Sequence, residues 1–128
     1  MRRTLLATAA VVLFATGART EQAQENPHVT ELLAAIKGKE NRPAGEVFKN
    51  VKLLKDVPAA RFLRIMDIGY ARSLGVGCDH CHVEDRWEAD EKRSKEAARE
   101  MIVLTQKINT QLGEMKHIDN SEPAVNCT

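Results

Sequence analysis

The sequence predicts a small, mainly α-helical domain. Apolar residues recur at helical spacing on both sides of a glycine-containing turn, which is the pattern of two amphipathic helices. The chain has 128 residues, room for one domain, and aromatic side chains make up only 4% of it. Since large rings normally supply much of a core, a core built from side chains alone is expected to be thin.

The first of the two helices is predicted to begin at Pro58, because proline is favourable at the first position of a helix. Four residues spaced by four form its apolar face: Phe62, Met66, Tyr70 and Leu74. Gly75 and Gly77 are expected to end it in a sharp turn.

The second helix is predicted over residues 90–112, with Asp90 as its cap and Gly113 as its stop. Its predicted inner face consists of Ala97, Met101, Leu104, Thr105, Ile108 and Leu112. The opposite face is predicted to carry the charged residues Lys92, Lys95, Glu96, Arg99 and Lys107.

Two segments precede these helices. Residues 1–18 have the features of a secretory signal peptide, namely Arg2 and Arg3 followed by an apolar run too short to span a bilayer comfortably. Residues 19–45 form a polar leader with a short helix predicted over 30–37, capped by Thr30. The domain itself is predicted over residues 46–128, and an uncleaved membrane anchor at residues 1–18 is the alternative to a signal peptide.

The signal peptide predicts export to the periplasm. The net charge of the exported chain is expected to be close to zero. The whole chain carries 19 basic and 18 acidic residues, and removal of residues 1–18 takes away two of the basic ones. No basic stripe is interleaved with aromatic side chains, so the composition does not favour nucleic acid as a partner.

The most specific motif is Cys78-Asp79-His80-Cys81-His82. C-x-x-C-H is the attachment pattern of c-type haem, because two cysteines on one helical turn can form thioethers to the two vinyl groups of one porphyrin. The adjacent His82 can then bind the iron. The sequence therefore predicts a helical c-type cytochrome domain built from a helix–turn–CxxCH unit.

Two other interpretations of the motif remain open, a redox-active dithiol and a zinc site. Cys78 and Cys81 could form a redox-active dithiol, although that chemistry belongs with a βαβ pattern that the helical surroundings do not match. A zinc site could combine Cys78 and Cys81 with His82 or His117 and with Cys127, but a second paired set of ligands is missing.

A methionine thioether is the usual sixth ligand in electron-transfer haem proteins, where it raises the reduction potential. Met66 lies 12 residues before Cys78 on the preceding helix, so that helix can fold back over the other face of the porphyrin. Core packing is the alternative role for Met66. His28, His80 and His117 are weaker candidates for the sixth ligand.

The motif and its surroundings resemble the cytochrome c subunit family of photosynthetic reaction centres. The resemblance covers residues 46–128 and lies in Val47–Val51, Leu53–Lys55, Pro58, Arg61-Phe62, Met66, Ser73–Val83, Asp90–Lys92, Ala97–Met101 and Ile108-Asn109. In that family haems come as pairs in repeated helix–turn–CxxCH units with an axial Met on the preceding helix. The resemblance thus implies haem c at Cys78, Cys81 and His82, with Met66 as axial ligand.

The same pattern places Met101 as the axial ligand of a second haem whose attachment motif would start at Cys127. The sequence ends at Thr128 inside that motif, so one haem is expected and a second stays open. Its expected partners are redox proteins, among them a reaction centre or another membrane electron-transfer complex, with no small-molecule substrate.

These observations predict a periplasmic protein that transfers single electrons and is not an enzyme. The alternative function is that of a haem enzyme or gas sensor, which would require an open sixth iron position.

Overall fold

The structure is a computed structural model that describes residues 26–120 and 122–126. It is mainly helical, with 54% helix and no sheet among these residues, which confirms the predicted fold class. The predicted signal peptide and Cys127 lie outside the described residues. No helix of the described part is long and apolar enough to cross a membrane.

Helix α1 spans Pro27–Ala35, three residues earlier than predicted at its start. Its cap is Asn26 and not Thr30, since the Asn26 side chain accepts a hydrogen bond from the backbone N–H of His28 at 3.1 Å. Val29 and Ile36 are buried, so part of the predicted leader belongs to the core. The domain boundary at residue 45 stays a prediction.

Helix α2, Ala44–Val47, is short and is held against the start of the next helix. The backbone N–H of Ala44 donates to Val57 at 2.8 Å, and that of Ala59 donates to Arg42 at 2.9 Å. Ala44 and Ala59 are completely buried where the two segments cross. A longer side chain at either position would have to push the two backbones apart.

Helix α3, Ala59–Arg64, continues directly into a π-helical segment, Ile65–Arg72. Pro58 is the cap of α3 rather than its first helical residue, so the helix begins one residue later than the sequence predicts. The helix ends as expected at Gly75, whose φ of 67° is in the left-handed region. Gly75 N–H donates to Arg72 and Val76 N–H to Ala71, which together form a Schellman motif.

Helix α4 spans Arg93–Glu114, and both of its predicted end signals are wrong. Lys92 occupies the cap position, while Gly113 lies inside the helix. The predicted inner face is also wrong, because Met101 and Leu104 are about half exposed and the buried residues of α4 are Lys95 and Ile102. The helix is therefore rotated away from the orientation that its apolar residues alone would favour.

The core is as thin as the composition predicts. Val29, Ile36, Ala59 and Leu63 form its buried cluster, and no large side chain is fully buried in the described part of the chain. The rings of Phe48 and Phe62 stack beside this cluster at a centroid distance of 5.7 Å. Several large apolar side chains, among them Phe48, Phe62 and Met66, line a cavity instead.

Candidate haem site

A cavity of about 440 Å³ lies between the helices and the segment that contains the CxxCH motif. Its walls come from α1, from residues 47–54, from α3 and its π-helical continuation, from the motif, and from the first half of α4. The volume falls within the range of typical small-molecule and cofactor sites. The domain therefore has a cavity of cofactor size beside the CxxCH motif.

The motif forms a single tight turn at this cavity. Cys78–His80 is a 3-10 helix, and the N–H groups of Cys81 and His82 both donate to the carbonyl of Cys78, at 3.3 and 3.0 Å. Cys78 and Cys81 are unpaired, partly buried thiols, and both line the cavity with His82. This turn brings both thiols to the wall of the same cavity.

The orientation of His82 is set by the backbone of a neighbouring turn. Its Nδ1 lies 2.9 Å from the carbonyl oxygen of Trp87. Since a carbonyl oxygen only accepts hydrogen bonds, Nδ1 carries the hydrogen and the lone pair is on Nε2. The Trp87 ring packs beside the imidazole with a centroid distance of 5.8 Å.

The protonation state of His82 suits a metal ligand. Burial lowers the pKa of His82, and the positive charges of Lys95, Arg99 and Lys92 lower it further, although the hydrogen bond to Trp87 acts in the opposite direction. A histidine must be neutral to bind a metal. The environment of His82 therefore favours the form that can bind iron.

Met66 lines the same cavity from the π-helical segment. Phe62, Tyr70 and Leu74 also line it, so the predicted apolar face of this helix is the face toward the cavity. π-helical turns are rare and are frequent at functional sites. Sequence periodicity did not reveal this turn, because residues spaced by four fit both an α-helix and this wider helix.

Asn26 connects α1 to the motif. While its side-chain oxygen caps α1, its amide nitrogen lies 3.3 Å from Cys78 Sγ and 3.3 Å from Asp67 Oδ1. Asp67 is buried and paired with Arg72 at 2.9 Å. One amide thus fixes the start of α1, the buried carboxylate and the first cysteine of the motif relative to one another.

Helix α4 is tied to the motif by charged and polar groups. Lys92 donates to the carbonyl of Asp79, and Ser94 donates to the carbonyl of His80. Lys95, which is buried, donates to the carbonyls of Trp87 at 2.9 Å and Ala89 at 2.7 Å. These contacts explain why α4 turns a lysine inward.

Asp90 is the centre of this charged cluster rather than the predicted helix cap. It accepts hydrogen bonds from Lys52 at 2.7 Å and Asn50 at 2.9 Å, and it also contacts Lys95 and Arg99. These donors, led by Lys52, hold the pKa of the Asp90 carboxyl well below its ordinary value of 3.8.

Asp90→Asn is expected to lower the melting temperature at pH 7, by an amount that decreases as the pH falls. Because folding lowers this pKa, the carboxylate stabilises the fold fully above pH 3.8 and loses its effect as the pH falls through the folded-state pKa. Thermal unfolding followed by circular dichroism between pH 7 and 2 measures the difference. Asp119→Asn, in the exposed segment after α4, is the control, and a difference independent of pH would contradict the prediction.

One predicted site residue, Met101, is not brought to the cavity: it is 50% exposed on α4 and does not line it. Cys127 lies outside the described residues. His28, a weaker candidate for the sixth ligand, does line the cavity and packs against Trp87 with a centroid distance of 5.2 Å.

The zinc alternative receives no support from the side-chain arrangement. Within residues 26–120 and 122–126, no three His, Cys, Asp or Glu side chains are grouped as metal ligands. Cys78, Cys81 and His82 therefore do not form such a group, although all three line the cavity.

Sequence reasoning did not identify the residues that orient the motif. Asn26, Trp87 and Lys95 lie up to 52 residues from the group that each contacts. Lys95 was predicted on the outer face of α4. Only the tertiary structure shows these roles, since no local spacing predicts which carbonyl a distant side chain reaches.

The family model for the photosynthetic reaction centre cytochrome c subunit matches residues 8–128 of the sequence. The chain belongs to this family. The match begins at residue 8, well before the 46–128 range that carries the motif resemblance. Membership of a cytochrome c family implies covalently bound haem c.

Three relatives of this cytochrome family member each match about half of the chain. It is 41% identical over 69 residues to the photosynthetic reaction center cytochrome c subunit of Rubrivivax gelatinosus and 35% identical over 68 residues to that of Thermochromatium tepidum, about half of this chain in each case. It is 34% identical over 62 residues, 48% of its length, to cytochrome c-554 of Chloroflexus aurantiacus.

The matched segments span less than a fifth of each relative: 19%, 17% and 15% of their lengths in the same order. No solved structure matches the chain.

The residues around the cavity fit the haem of this cytochrome family. The cavity is bordered by apolar side chains of α1, α3 and α4, as a porphyrin ring requires, and both motif thiols line it. A neutral imidazole with its lone pair on Nε2 and a thioether line the same space. These are the donor atoms of His–Met haem ligation.

Proposed function

We propose that this chain transfers single electrons through one haem c attached to Cys78 and Cys81, with His82 and Met66 as axial ligands. When bound, haem c supplies an iron that alternates between Fe(II) and Fe(III). The proposal is supported above all by one observation: the four residues line a single cavity in a chain whose own core is thin.

Each residue of the site has a separate task in this proposal. The two thiols would hold the ring covalently. His82, which Trp87 keeps in one tautomer, and Met66 would both bind the iron, and Met66 would exclude small molecules from it. An iron held by two protein ligands would favour electron transfer over catalysis.

The proposal places one haem in the described part of the chain. A second haem at Cys127, with Met101 as its axial ligand, belongs to the pattern of the family. Met101 is exposed on α4, so its side chain is available to a group packed against that face. The number of haems is measured directly by the ratio of haem to protein.

We further propose that the protein works in the periplasm, exported by residues 1–18 or held at the membrane by them. Its partners would be redox proteins, including a reaction centre or another membrane electron-transfer complex, as the names of two relatives suggest. Charge supports a directed encounter: residues 37–72 carry nine basic and four acidic residues, whereas residues 79–91 carry one basic and six acidic.

The test is to express the chain in a host that attaches haem c and to analyse its periplasmic fraction. We expect a band that stains for haem after denaturing electrophoresis and a processed amino terminus. A spectroelectrochemical titration should give a one-electron slope of about 59 mV per tenfold change in the oxidised-to-reduced ratio. A colourless chain would overturn the proposal, and rapid carbon monoxide binding to the reduced protein would favour the haem enzyme or gas sensor.

A further inference from the structure

The carbonyl oxygen of Trp87 accepts hydrogen bonds from two side chains. His82 Nδ1 lies 2.9 Å from it, and the Lys95 ammonium group lies 2.9 Å from it. The same oxygen therefore contacts the proposed iron ligand and a positively charged side chain. The function proposed above does not use Lys95.

Burial and three acceptor groups hold the Lys95 ammonium in this position. Its residue is 8% exposed, and its ammonium also contacts the carbonyl of Ala89 at 2.7 Å and Asp90 Oδ1 at 3.2 Å. An ammonium group has three N–H donors, and three acceptors surround this one. The contact with Trp87 is therefore part of a saturated arrangement rather than one position of a mobile surface lysine.

A carbonyl that already accepts from a cation is a weaker acceptor for a second donor, because the cation draws electron density toward itself. In a metal-bound histidine, one ring nitrogen binds the metal and the other forms a hydrogen bond. The acceptor of that hydrogen bond controls how basic the histidine is. A weaker acceptor at Nδ1 leaves His82 less basic and a poorer electron donor to iron. Hydrogen bonding around the ligand is one of the means by which a protein sets the reduction potential of haem.

We propose that Lys95 is a positioning residue that raises the reduction potential by sharing the Trp87 carbonyl with His82. This inference rests on the proposed role of His82 as an iron ligand. The competing explanation is that Lys95 only holds the 87–90 turn in place, in which case its loss would loosen the contact between His82 and Trp87.

The test compares the haem-loaded protein with its Lys95→Met variant at pH 7. We expect a lower midpoint potential in the variant. In the reduced, diamagnetic state we also expect the His82 Nδ1–H proton resonance to move downfield and to exchange more slowly with solvent, because the carbonyl becomes a better acceptor. A purely structural role predicts the opposite direction for both proton measurements, and that result would overturn the proposal.

Two further variants control for charge and for folding. Lys92→Met removes another positive charge that acts on His82 but donates to Asp79 rather than Trp87, so we expect a smaller potential shift and an unmoved Nδ1–H resonance. Lys95→Gln keeps a neutral donor and is expected to lie between Lys95→Met and the unaltered protein. Equal shifts for Lys92→Met and Lys95→Met would contradict the proposal, as would an unchanged potential in Lys95→Gln.

The test separates this inference from the proposed function. A missing haem band, or a reduced protein without a His82 Nδ1–H resonance of a bound imidazole, would refute the function itself. A normal haem band and a normal His82 resonance, with no response to substitution of Lys95, would refute only the role of Lys95.

Discussion

A chain that carries both Cys78→Ser and Cys81→Ser is expected to lose covalently bound haem and, with it, much of its stability. The double variant should show no haem-stained band after denaturing electrophoresis. Its free energy of unfolding should fall by more than about 3 kcal/mol, which is the scale for emptying a core site of a large aromatic side chain. Thermal and denaturant unfolding followed by circular dichroism measure the loss.

The reason lies in how little the chain buries by itself. The buried cluster of Val29, Ile36, Ala59 and Leu63 is small, and none of the described large side chains is fully buried. Around it, apolar side chains border a cavity of about 440 Å³. A haem in that cavity would supply the contacts that aromatic side chains supply in other proteins of this size.

The single variant Cys81→Ser is the matched control for the double variant. It keeps one thioether to the ring, so we expect it to retain stained haem and most of the stability. The hydroxyl is close in size to the thiol, so packing changes are small in both proteins. A double variant with the same melting temperature as the unaltered protein would contradict the prediction. It would show that the side chains stabilise the fold without haem.

Local patterns were enough to predict the centre of this site. The CxxCH spacing and the apolar face of Phe62, Met66, Tyr70 and Leu74 depend only on residues close in sequence, and the structure places both at the cavity. Gly75 ended its helix as predicted, since a left-handed residue at that position is a local requirement.

Tertiary contacts decided what local patterns could not. The apolar positions of α4 predicted an inner face at Met101 and Leu104, whereas the observed inner residues are Lys95 and Ile102. The buried lysine is favourable there because two carbonyls and a carboxylate meet it. Hydrophobic periodicity assigns a charged residue to the solvent, so it misplaces a helix that is anchored by a buried, hydrogen-bonded lysine.

Met66→Ala is expected to open the sixth iron position while leaving the covalent haem in place. The oxidised variant should lose the near-infrared absorption of a thioether–iron bond, and the reduced variant should bind carbon monoxide, which the unaltered protein should not. Its reduction potential should fall, because the thioether ligand stabilises the reduced iron. Absorption spectra and a redox titration provide all three measurements.

Met115→Ala is the matched control, because Met115 is 56% exposed at the end of α4 and does not line the cavity. It should keep the near-infrared band and the potential of the unaltered protein. If Met66→Ala also keeps them, Met66 packs in the cavity wall without binding iron. If the unaltered protein itself lacks the thioether band, His28 is the next residue to substitute, because it is the other described candidate that lines the same cavity. Carbon monoxide binding by reduced His28→Ala but not by reduced Met66→Ala would then replace the His–Met assignment. Loss of the thioether band and gain of carbon monoxide binding in Met66→Ala alone would establish the thioether as the group that keeps this iron closed to small molecules.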